Sequence, residues 1–109
     1  MVPEQDHELI RAKLNFETAK LDWKELQRFF AGGKLFYVDS GLDLIDVAFA
    51  IQQDDQVKVR QWMEQMQLTE VSDLQAKDWF VNNSLLWTLV VKPWILVQLP
   101  GTYSGKRVS

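Results

Sequence analysis

The stretch Leu85-Leu86-Trp87-Thr88-Leu89-Val90-Val91-Lys92-Pro93-Trp94-Ile95-Leu96-Val97-Gln98-Leu99 decides how this chain folds. It is the most apolar run in the sequence. A helix that spans a bilayer needs about 20 consecutive apolar residues. This run is shorter, and Lys92-Pro93 interrupts it. Its Val, Ile, Leu and Trp content reads instead as strand buried in a core. Pro93 has no N–H to give to a ladder, so it marks a bulge, an edge or a turn. Leu86–Val91 and Trp94–Leu99 are therefore strand-like, either as two strands or as one bulged strand.

Upstream of this run the pattern alternates between helix and short strand. Ser72, with Gln75 three residues later, has the capping-box form and starts a helix that ends near Asn82-Asn83. Leu68 to Val71 is a short strand candidate. Val59, Trp62, Met63 and Met66 fall on one helical face and predict a helix over about 55–66, capped by Asp54-Asp55. A helix over about 41–53, opened by Ser40 with Asp43 in support, is apolar on nearly every side, as expected of an element in the middle of a fold. Leu35-Phe36-Tyr37-Val38 reads as strand. Leu9, Ala12, Phe16, Ala19, Trp23, Leu26 and Phe30 are spaced alternately three and four apart. That spacing predicts one long helix over 8–31, stopped by Gly32-Gly33. The expected fold is α+β: a small sheet of about three to four short strands covered by about four helices, with a long N-terminal helix. Residues 8–100 are expected to form a single domain, with 1–7 and 101–109 as flexible ends.

Composition narrows the chemistry. The chain has 109 residues, 47% hydrophobic and 25% charged, with a net charge of −3. These proportions are those of one ordinary globular domain, not of a disordered or fibrous chain. There is no cysteine and one histidine, His7. A nucleophilic triad needs a base held against its nucleophile, and a zinc site needs several His or Cys ligands. The expectation is therefore no catalytic residue, no metal site and no cofactor. Asp39, Asp43, Asp46, Asp54 and Asp55 crowd a short region, but capping accounts for four of them. Ala31-Gly32-Gly33-Lys34 lacks the spacing of a phosphate-binding loop. The polar N-terminus lacks the form of a secretory signal, and a cytoplasmic location without membrane association is expected.

Trp23, Trp62, Trp79, Trp87 and Trp94 give about one tryptophan per element. An aromatic ligand pocket is one reading and a shared core is the other, and the helical stripes carrying Trp23 and Trp62 favour core. The order helix, strand, helix, helix resembles the start of a winged helix, with Lys58 and Arg60 on its third helix. The acidic balance opposes nucleic-acid binding, because phosphate contact needs clustered Lys and Arg.

Four blocks resemble a known family: Leu14-Asn15-Phe16-Glu17-Thr18-Ala19-Lys20, Trp23 to Ala31, Leu42 to Ala48, and Pro93-Trp94-Ile95-Leu96-Val97-Gln98. The family is the bacterial one catalogued as domain of unknown function 2288. The resemblance covers about residues 10–99 and implies a small bacterial protein, with no catalytic residues to carry over. Within the blocks, Asn15, Glu17, Glu25 and Arg28, with Thr18 and Gln27, are candidates for a polar site or an interface.

The functional expectation is a non-enzymatic interaction or regulatory module acting on an unknown protein partner. A nucleic-acid-associated regulator with a winged-helix-like core and a small-molecule-binding protein are the alternatives. On the long helix, Ile10, Leu14 and Leu21, with Phe29 at the margin, form a second apolar stripe nearly opposite the first. One stripe suffices to dock a helix, so the second predicts a homodimer built on the first helix. Coverage by the C-terminal strands or by the tail around Tyr103 is the alternative.

Overall fold

The computed structural model describes residues 4–100. The elements run α1 (Glu4–Glu17), β1 (Ala19–Asp22), α2 (Trp23–Ala31), β2 (Leu35–Val38), α3 (Leu44–Gln52), α4 (Gln56–Glu64), β3 (Leu68–Glu70), α5 (Asp73–Asn82), β4 (Leu85–Val91) and β5 (Trp94–Gln98). The strands form one five-stranded sheet in the order β1-β4-β5-β2-β3. β2 runs parallel to β5, and every other neighbouring pair is antiparallel.

The run Leu85–Leu99 is two strands, joined by a turn at Lys92-Pro93, with Val91 opposite Trp94 and Trp87 opposite Gln98. Successive side chains enter two different cores. Leu89, Val91 and Leu96 pack with Leu14 of α1 and with Leu44, Val47 and Ala48 of α3, and Val59, Trp62 and Met63 of α4 lie against them. Leu86, Ile95 and Val97 pack with Trp23 and Leu26 of α2 and with Ala76 and Trp79 of α5. Helices therefore cover both faces. A sheet buried on both faces needs apolar residues at every position, which is why its central strands read as a continuous apolar run.

The fold is α+β as expected, with five helices and five strands among the described residues instead of about four helices and three to four strands. The single helix over 8–31 does not form. Thr18 ends α1, its Oγ1 donating to the Leu14 carbonyl at 2.8 Å. β1 follows, and Asp22 then caps α2 by accepting from the Glu25 N–H at 3.3 Å. A residue with its own local backbone partner competes with the helix ladder, and here an extended strand gains the β4 edge as well. The three-and-four spacing ran through this break by coincidence.

Other boundaries shift less. Ser72 and Gln75 form the expected reciprocal cap of α5, and Asn83 closes that helix in the left-handed conformation, at φ 46°. α3 is capped by Asp43, whose carboxylate accepts from Ile45 N–H at 2.8 Å, and not by Ser40. α4 is capped by Asp55. Residues 4–7, expected in a flexible end, belong to α1, and the tail 101–109 lies outside the described residues. α1, α3 and α4 lie on one sheet face and α2 and α5 on the other. Gln98 is fully buried at the end of β5, and its Nε2 donates to the carbonyls of Asp39 at 3.0 Å and Leu42 at 2.9 Å. That side chain ties the sheet to the loop entering α3.

Trp23 and Trp62 were both expected to be core anchors. Trp23 is 1% exposed and meets Trp79 edge-on at 5.6 Å. Trp62 is only partly buried, on a helix with no fully buried residue. Trp23→Ala should therefore cost ~3–5 kcal/mol in denaturant unfolding, and Trp62→Ala clearly less. Equal losses would contradict this assignment of the core.

Candidate interaction surface

The break at Thr18 reverses the roles of the two apolar stripes on α1, while Trp23 and Leu26 of the first stripe stay inside. On α1, Leu14 is 2% exposed and joins the core, and Ile10 packs partly buried beside it. Arg11 pairs with Asp46 of α3 and lies over the Phe49 ring at 4.4 Å, and His7 meets the same ring at 5.1 Å. These contacts set which sides of α1 face the sheet and α3. At roughly 100° per residue, Leu9 and Phe16 then lie on the side of α1 opposite Leu14 and Arg11, turned away from the sheet and α3. Both are exposed, Leu9 at 69% and Phe16 at 89%.

The interface residues expected from sequence are thus internal or marginal. Leu14 is inside the chain's own core, and Leu21 and Phe29 pack partly buried against the second core. The residues left on the surface, Leu9 and Phe16, are those the periodicity assigned to the interior. The sequence did hold a signal for the break: Asp22-Trp23-Lys24-Glu25 places an N-cap acid three residues before a glutamate, as helix starts often do. Leu74, Phe80 and Val81 of α5 are exposed as well. They lie on α5, which follows the other edge strand, β3.

Of the expected polar set, Glu25 and Arg28 come together. Both are exposed on α2 and line a shallow hollow of about 430 Å³ with Leu21, Lys24, Gln27 and Phe29. The Arg28 guanidinium stacks on the Phe29 ring at 4.8 Å. Glu17 lines a neighbouring hollow of about 640 Å³ whose wall includes Leu21, Thr88 and Val90. Asn15 is exposed near the end of α1 and lines neither. Sequence reasoning missed a third hollow of about 520 Å³, between the α3–α4 turn and the β4–β5 turn, where Trp94, Met63 and Val59 meet Arg60 and Lys92. Among the described residues no group of three or more His, Cys, Asp or Glu is placed to hold a metal ion, and no helix is long and apolar enough to cross a membrane. The crowded aspartates have local roles: Asp43 and Asp55 cap helices, Asp39 accepts from Gly41 N–H at 2.9 Å, and Asp46 pairs with Arg11.

A model of the family described as "Protein of unknown function (DUF2288)" matches residues 9–99. This chain belongs to that family. The DUF2288 match spans every element except the start of α1. A solution NMR structure of PA1075 from Pseudomonas aeruginosa is 40% identical, covers 93% of this chain and 92% of its own, and superposes with a TM-score of 0.75. No curated protein matches the sequence. The DUF2288 assignment agrees with the expected family and carries no activity with it.

Among the described residues, one titratable group departs from its ordinary behaviour. Burial, and secondarily the Asp39 carboxylate, push the Tyr37 phenol above 10.0. The unfolded chain then releases that proton before the folded one does. The contribution to stability is fully present below pH 10 and is lost as pH rises through the higher folded value. Phenolate absorbance should titrate late in the folded protein, and Tyr37→Phe should remove that late component. An unshifted titration would contradict the packing of Tyr37 against Trp79, whose ring centre lies 5.9 Å away.

Proposed function

We propose that this protein is a small cytoplasmic module that acts through protein contacts, without catalysis of its own, and that it pairs with a second copy through the flank formed by α1 and β1. The exposure of Leu9 and Phe16 carries the reading: two large apolar side chains, seven residues apart on one helix face, stand in water, and the strand that follows this helix, β1, is an open sheet edge. Burying a large apolar side chain is worth roughly 1.5–3 kcal/mol, so this flank gains from a partner. A second copy brings the same flank, and a two-fold dimer is the simplest closed arrangement of one surface with itself. The polar hollow holding Glu25 and Arg28 borders β1 through Leu21, and it adds a rim that can hydrogen-bond.

The test uses residues that the chain's own fold does not need. In the Leu9→Lys/Phe16→Lys double variant, light scattering should report a monomer where the parent is a dimer, with an unchanged circular dichroism spectrum. Leu14→Lys, which places a charge in the core, should lose the folded spectrum altogether. A parent that is monomeric at tens of micromolar, or a double variant that remains dimeric, would overturn the proposal.

A further inference from the structure

Resting on the proposed self-association, we infer that β1 pairs antiparallel with β1 of a second copy, in the register that sets Lys20 of each chain opposite the partner's Asp22. β1 is an edge strand, with β4 on one side only. Its pairing with β4 sets Ala19 opposite Thr88 and Leu21 opposite Leu86. The next pair in that register, Trp23 and Ser84, is hydrogen-bonded, with Trp23 N–H donating to the Ser84 carbonyl at 3.0 Å. Antiparallel bonds alternate along a strand. Ala19, Leu21 and Trp23 therefore bond toward β4, Lys20 turns its N–H and C=O outward, and Asp22, whose carbonyl opens α2 as its N-cap, turns its N–H outward.

Two copies of such a strand related by a two-fold axis can pair only where outward groups meet outward groups. Within β1 three registers satisfy this. One sets Lys20 against Lys20 and another sets Asp22 against Asp22. Like charges directly opposite are destabilising. The third sets Lys20 against Asp22 twice, with Leu21 against Leu21 between them. Charge thus selects one register out of three. The two charged side chains share one sheet face, where Lys20 Nζ lies 5.1 Å from the Trp87 ring centre. Leu21 lies on the other face and packs against the second core. Asp22 uses Oδ1 for its cap on α2.

A lysine on an edge strand can also guard that edge against pairing, and substitution separates the two roles. Lys20→Pro removes an outward N–H and leaves the bonds from β1 to β4 in place, as proline permits on an edge. Sedimentation equilibrium on the full chain should show its dimer weakened by about tenfold or more. Lys20→Glu should weaken the dimer at low salt, with part of the loss recovered as salt screens the new like-charge contacts. A dimer that withstands Lys20→Pro and Lys20→Glu but falls apart in Leu9→Lys/Phe16→Lys overturns the strand pairing and leaves the contact proposal standing. A monomeric parent overturns both, whether the edge is bare or is covered by residues 101–109.

Discussion

The β4–β5 pair is buried on both faces, and the rest of the fold answers that constraint. Leu86, Ile95 and Val97 on one face and Leu89, Val91 and Leu96 on the other cannot all be hidden by a single helical layer. Two helical layers are therefore required, and the chain supplies them in alternation with short strands. α1, α3 and α4 go to one face, and α2 and α5 go to the other. α3, apolar on nearly all sides, sits where the sheet is most enclosed. Gln98 fastens the loop before it by donating to two backbone carbonyls, a polar contact inside an otherwise apolar layer.

The cost of this arrangement falls at the margins. The sheet must end somewhere, and it ends at two short strands, β1 and β3. β1 exists because the chain breaks its first helix to cross from one layer to the other. That crossing leaves α1 at the flank with one face on the sheet, one side on α3 and a third side, Leu9 and Phe16, in water. The exposed apolar flank and the open edge are thus consequences of a single topological step. An open strand edge is the kind of surface that peptide strands and second copies use, in which backbone bonds give affinity and side chains set register.

Much of this was legible before any coordinates. The apolar run around Trp87 and Trp94 announced buried strands, Ser72 and Gln75 announced α5, and the apolar surround of Leu44 to Ile51 placed α3 in the middle. The central error came from Leu9, Ala12, Phe16, Ala19, Trp23, Leu26 and Phe30. Their three-and-four spacing is real, but it joins two helices through a strand, and periodicity has no means of registering a change of direction. The local chemistry at Thr18 and Asp22 did record it, through a hydroxyl that bonds back to Leu14 and a carboxylate that opens α2. The error passed directly into the surface, since a stripe assigned to the interior as far as Phe30 carried Leu9 and Phe16 inward with it. Glu25 and Arg28 came together because they are three residues apart on α2, a relation that survived the break. Asn15 and Glu17 lie on the other side of it and did not join them.

Amide hydrogen exchange along β1, compared between the parent and the Leu9→Lys/Phe16→Lys variant, tests the account most directly. The Ala19 and Leu21 amides bond toward β4 and should be protected in both proteins. The Lys20 and Asp22 amides point outward and should be protected in the parent only, where a second β1 covers them. Rapid exchange of Lys20 and Asp22 in a dimeric parent, or equal protection in both proteins, would contradict the account.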